Sequence, residues 1–165
     1  MKTKNILQSL AIGALLLGAC KPDKIKDFAP RTGGDVASLT GTWKGVSVLQ
    51  RDNDAERKNF PYKSEDVTST LEFTKVAITL NSANGQPTTF NINYGGAPPF
   101  FKLTSGNWKV DNATKVGMVS IYNGPDTVKF TVGSYLMILD SKLQMKQAKT
   151  LLGKEVITYE FNFSK

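Results

Sequence analysis

The 165-residue chain is predicted to be all-β, an antiparallel up-and-down barrel of about eight strands, with a β-sandwich as the alternative. Three observations lead there. Apolar and polar residues alternate with period two in one short stretch after another. Turn-forming clusters such as "NSANGQP" and "DNAT" separate those stretches. The segment that carries them, residues 39–165, has ordinary single-domain size and can bury a core without disulfides. Such sequences close as barrels or stack as sandwiches, and closure removes the edges that small β proteins must otherwise protect.

The first 38 residues lie outside that pattern. Lys2 and Lys4 open the chain, and an apolar run then extends from Ile6 to Leu17. A basic start followed by about a dozen apolar residues fits a secretory signal. A membrane-spanning helix needs about 20 apolar residues, so the run is too short to stay as a span. It ends in Leu17-Gly18-Ala19-Cys20, which holds the only cysteine of the chain and resembles a bacterial lipobox. In proteins with that motif, signal peptidase II cuts before the cysteine, diacylglycerol joins its thiol, and the new amine is acylated. The resemblance implies that residues 1–19 are a lipoprotein signal peptide, removed on maturation, and that Cys20 is the lipid attachment site. The alternatives are an ordinary signal with an incidental cysteine, or a core cysteine. The second is poor, because "KPDKIKD" follows directly and no core could bury it. A free thiol without a partner would also be an odd choice in an oxidising compartment.

Residues 20–38 then read as a lipidated flexible tether. The part after Cys20 has prolines, a Gly-Gly pair, mixed charge and almost no apolar periodicity. Eighteen flexible residues reach about 20–25 Å, enough to lift a domain clear of lipid headgroups. The chain carries 21 Lys and Arg against 14 Asp and Glu, and loss of Lys2 and Lys4 leaves a net +5. The lysines are scattered, without the stripe that phosphate binding requires, so no nucleic-acid partner is expected.

The strands follow in order. "LTGTWKGVSV", residues 39–48, opens the domain, and a long polar connection runs from Gln50 to Asp66. Val67, Ser69, Leu71 and Phe73 alternate with polar neighbours, as in a half-buried strand, and "KVAITL" continues it. Beyond the "NSANGQP" turn, Phe90, Ile92 and Tyr94 alternate with Asn91 and Asn93. "GNWKV" and "KVGMVSIY" flank "DNAT", and Val128, Phe130 and Val132 alternate with Lys129 and Thr131. In residues 141–154, good helix formers, a Ser141 cap and a Gly153 stop favour a short helix, while alternation of Leu143 and Met145 favours a hairpin through Asp140-Ser141. The hairpin is the preferred reading. The clearest strand is the last, with Ile157, Tyr159, Phe161 and Phe163 on one side. It should be integral to the core, since each such side chain is worth about 1.5–3 kcal/mol when fully buried.

Gly41-Thr42-Trp43 resembles the Gly-x-Trp signature of lipocalins. In that family the tryptophan plugs the closed end of an eight-stranded up-and-down barrel, and a long loop after the first strand covers the mouth. "QRDNDAERKNFPYKSED" holds that loop position here. The chain is most similar to lipocalin-like lipoproteins of Gram-negative bacteria, many of them domains of unknown function. The resemblance also implies a basic partner for the tryptophan near the C-terminal strands, and the sequence singles out none among Lys142, Lys146, Lys149 and Lys154. Trp43 and Trp108 are expected to fill the core. In "YGGAPPFF", residues 94–101, Phe100 and Phe101 are expected to turn inward, the alternative being an aromatic platform for a sugar or a protein. Asp126-Thr127-Val128 matches a short acidic-threonine-apolar pattern used for O-glycosylation in some bacteria, or is a turn entering a strand.

Catalytic machinery is not expected. The chain has no histidine, which removes serine triads, Cys-His pairs and His-ligated zinc. It carries no phosphate loop or dinucleotide fingerprint. "DNDAE", residues 52–56, starts like a calcium loop but has Arg57 and Lys63 where glycine and glutamate are required, so it reads as a solvated acidic turn. No enzyme activity, cofactor or metal is expected. The expected protein is a membrane-anchored cell-envelope lipoprotein at the outer membrane, facing the periplasm or the surface. Its barrel would bind a small apolar ligand. The alternative is a non-catalytic accessory module that contacts an envelope protein in a cell-envelope or glycan-uptake complex.

Overall fold

The computed structural model describes residues 35–61, 63–133, 137–138 and 140–165. The segments expected to be leader and tether, with Cys20, lie outside the described residues up to residue 34. Among those described, nine strands follow one another: β1 (Gly41–Asp52), β2 (Ser64–Asp66), β3 (Ala77–Ala83), β4 (Gln86–Asn93), β5 (Ser105–Val110), β6 (Met118–Asn123), β7 (Asp126–Val132), β8 (Lys142–Leu151) and β9 (Lys154–Ser164). β1 pairs antiparallel with β3, each strand from β3 onward pairs antiparallel with the next, and β9 returns to β1 with Val48 opposite Phe161 and Leu49 opposite Glu160. Eight strands therefore close an up-and-down barrel, and the short β2 is added to the edge of β1. The barrel is the expected fold, and the sandwich is not.

Alternation fills the interior. Trp43, Val48, Ile78, Leu80, Phe90, Val119, Ile121, Phe130, Leu143, Met145, Phe161 and Phe163 are buried, and the polar residues between them face outward. β1 serves two neighbours by means of a bulge between Gly45 and Ser47, which sets Val46 outside and lets the strand bend from β3 towards β9. Gly45 is required there, because a Cβ would collide with the carbonyl oxygen of Phe73.

Packed structure begins before Leu39. A short helix, α1 (Asp35–Leu39), carries Val36 and Leu39 into the core beneath β1. Ordered structure thus reaches into the segment expected to be tether, because two apolar residues three apart share one face of a single helical turn. α2 (Asn53–Arg57) follows β1; Asp52 caps it by accepting from the backbone N–H groups of Asp54 and Ala55.

Two expectations need correction. Residues 67–76 are not a strand but a chain of turns ending in a 3-10 helix, Phe73–Lys75. Their N–H groups bond backwards, Leu71 to Val67 and Phe73 to Thr68, and Glu72 takes φ 48°. Val67 and Leu71 lie one helical turn apart, so the same spacing that suggests alternation also serves a turn. Residues 142–151 are a strand, yet the hairpin does not pass through Asp140-Ser141. β8 pairs with β9 along its length and turns at Leu152-Gly153, both with positive φ, while Met137 and Ile138 form a helical turn. Leu143 opposite Phe163 and Met145 opposite Phe161 override the helix propensity of the segment.

Candidate functional site

The up-and-down order sends α1, the β3–β4 turn, residues 111–117 and residues 137–141 to one end. α2, residues 67–76, residues 94–104 and the β8–β9 turn go to the other. The first end is closed. Trp43 is fully buried there, and its indole N–H donates to the carbonyl of Leu39 at 2.7 Å. The Lys165 ammonium lies 4.3 Å from the centre of that indole and donates to the carbonyls of Ser38 (2.8 Å) and Thr40 (2.7 Å). Loss of water around it lowers its pKa below the ordinary lysine value. The basic partner is therefore Lys165, not Lys142, Lys146, Lys149 or Lys154. The register that sets Lys44 opposite Ser164 brings the next residue onto Trp43, a signal available only once β9 is known to close on β1. Trp108 is a second core filler, buried and donating to the carbonyl of Asn81.

The other end is the candidate site. The segment 94–104 folds down into the barrel mouth instead of standing over it. Gly95 and Gly96 take φ 59° and 93°, which glycine adopts without strain. Ala97 N–H closes a turn on the Tyr94 carbonyl, and the Tyr94 hydroxyl donates to the Leu103 carbonyl at 2.8 Å. Burial pushes the Tyr94 phenol up to about 12. The bends aim Phe100 and Phe101 inward, as expected. Phe101 is 4% exposed, edge-on to Phe130 at 5.2 Å and Phe161 at 4.9 Å. Phe100 is half-buried, 4.5 Å from Phe101 and parallel to Phe161 at 5.9 Å. Phe73 contacts Phe161 and Phe163 from the turn segment. These rings occupy the mouth.

Two hollows flank Phe100. One, of about 140 Å³, is lined by Leu71, Phe100, Gln147, Lys149, Tyr159 and Phe161. The other, about 300 Å³, lies between residues 100–103 and the upper parts of β7 and β8, and is lined in part by Asp126, Thr127, Val128 and Lys149. Pockets for small ligands usually measure about 300–1,000 Å³ and are enclosed. The hollow that reaches the aromatic interior falls below that range, and the larger one lies at the wall.

On the outer wall, Glu160 is buried among polar neighbours. Arg51 and Lys146 each reach its Oε1 at 2.9 Å, and Asn162, Ser47 and Gln144 continue a polar ladder beside it. Burial alone would raise the Glu160 pKa; hydrogen bonds and charge from Arg51 and Lys146 outweigh burial and hold it below the usual value. A lowered folded-state pKa contributes stability above the unfolded value, lost as pH falls through the folded value. We expect urea unfolding to show the advantage of wild type over Glu160→Gln near neutral pH, shrinking below about pH 4.5. An advantage that stays constant down to pH 3 would mean that the carboxylate is not stabilised by its two cations.

Cys20 lies outside the described residues. Thr127 is exposed at the start of β7. Asp54, in the acidic turn, is held by Arg57 and Lys58, and among the described residues no three acidic, histidine or cysteine side chains converge to hold a metal ion. No protein-family model and no curated protein matches the chain.

Proposed function

We propose that this chain is a cell-envelope lipoprotein, anchored through lipid on Cys20, whose lipocalin-like barrel is a non-catalytic interaction module and not a ligand cup. The observation that carries the second half is the aromatic mouth. Phe73, Phe100, Phe101, Phe130 and Phe161 pack against one another where a ligand would enter. The function then resides on surfaces that the filled barrel holds rigid. The anchor rests on the order of charge, apolar run, small residues and cysteine at residues 2–20. The +5 charge after signal removal favours an anionic membrane surface.

Capture of a small apolar molecule remains the second reading, favoured by the hollow of about 140 Å³ beside the half-buried Phe100. It requires Phe100 to swing out. The two readings separate in a titration of the purified barrel with N-phenyl-1-naphthylamine. No saturable fluorescence rise is expected, and one-to-one saturation would overturn the module reading. For the anchor, growth with an alkynyl palmitate should label the wild-type protein and leave Cys20→Ala unlabelled. Equal labelling of both would reject lipid attachment at Cys20.

A further inference from the structure

The barrel wall has an open seam. β7 and β8 pair only where Thr131 faces Lys146 and Val132 faces Met145, with one more bond from Gly133 N–H to the Gln144 carbonyl. Above those rungs the two strands continue, β7 back to Asp126 and β8 on to Leu151, without pairing to each other. Their outer edges remain fully laddered, β7 to β6 and β8 to β9. Strand backbone groups alternate in direction, and Gln144 and Thr131 face the seam. By that alternation Thr127 and Lys129 on β7, and Ala148 and Thr150 on β8, point N–H and carbonyl groups into it. Neither strand has a ladder partner across the seam at those positions.

The seam is bordered by Lys102, Lys129 and Lys149, all exposed and all without an ion pair among the described residues, and by one carboxylate, Asp126. Lys146 is already engaged by Glu160. The hollow of about 300 Å³ behind the seam has Phe100, Phe101, Leu103 and Val128 among its walls. Two strand edges unpaired with each other, an apolar recess and a basic border together match the way an extended peptide adds to a sheet. Main-chain bonds supply affinity, and pockets for alternate side chains supply selectivity.

We infer that the β7–β8 seam is a docking site for an extended acidic segment of a partner protein, with apolar residues at alternate positions. The inference rests on the reading of the barrel as an interaction module, and names its surface. A second copy of this chain is the poorer occupant, because edge-to-edge pairing of β8 with itself would bring Lys149 near its equivalent, and like charges across strands oppose pairing.

The test uses the purified domain and two short N-acetylated peptides, one alternating glutamate with valine and one alternating lysine with valine. Amide shifts in NMR titration should move at Thr127, Lys129, Ala148 and Thr150 with the glutamate peptide, which should bind at least about tenfold more tightly than the lysine peptide. Ala148→Pro removes a seam-facing N–H and should abolish binding. Because proline can also disturb the strand, the double variant Lys129→Glu with Lys149→Glu supplies a second reading. It should keep the wild-type melting temperature and reverse the peptide preference. Shifts that avoid the seam, equal binding of both peptides, or pairing of the domain with itself through β8 would overturn the inference. A saturable naphthylamine response would instead remove the module reading beneath it.

Discussion

Phe161→Ala is expected to cost about 3–5 kcal/mol, the range for removing a buried aromatic ring from a close-packed core. Phe161 is 2% exposed and stands between Phe73 at 5.6 Å, Phe101 at 4.9 Å and Phe130 at 6.2 Å. It joins the strand wall to both inserted segments, so its loss also leaves the 94–104 plug without a floor. Most domains are stable by only about 5–15 kcal/mol, and this one substitution could consume much of that margin. Urea denaturation followed by tryptophan fluorescence measures it. Phe161→Leu, which keeps most of the volume, should lose less than half as much. A loss below about 1 kcal/mol for the alanine variant would show that the rings do not form one packed unit.

The second large effect is expected at the closed end. Trp43→Ala removes a fully buried indole from the barrel floor and leaves the Leu39 carbonyl without its donor. The cost should again be about 3–5 kcal/mol. Lys165→Met should cost about 1–2 kcal/mol, since it removes the two bonds to Ser38 and Thr40 carbonyls and the charge over the indole face, while keeping the aliphatic stem. Combining Lys165→Met with Trp43→Leu in a double-mutant cycle should give a coupling of about 1 kcal/mol, because each partner's contribution depends on the other. Strict additivity would mean that Lys165 acts only through the backbone carbonyls.

Much of the barrel is legible in the chain. A strand with one face buried must place apolar residues every second position, so β4, β7 and β9 announce themselves through Phe90 and Ile92, Val128 and Phe130, and Phe161 and Phe163. Asn84-Gly85 signals its own turn in the same way, because both residues take positive φ, which those residue types tolerate. Residues 67–76 defeat that logic. Val67, Leu71, Phe73 and Val76 are apolar because they pack on the mouth, and their spacing does not distinguish a strand from successive turns. Residues 142–151 obey it against their own helix propensity: Leu143 and Met145 alternate with polar neighbours, and their burial against β9 decides for the strand.

By itself the sequence determined an all-β domain and the absence of histidine side chains. These follow from residue type and local period, which need no knowledge of what lies opposite. Tertiary structure alone decided that Lys165 clamps Trp43, that Phe100 and Phe101 pack against Phe161 in the mouth, and that β7 and β8 part above Thr131. Each of those depends on register between segments far apart in the chain. Register is set by the total packing of the closed barrel, and no single strand carries it.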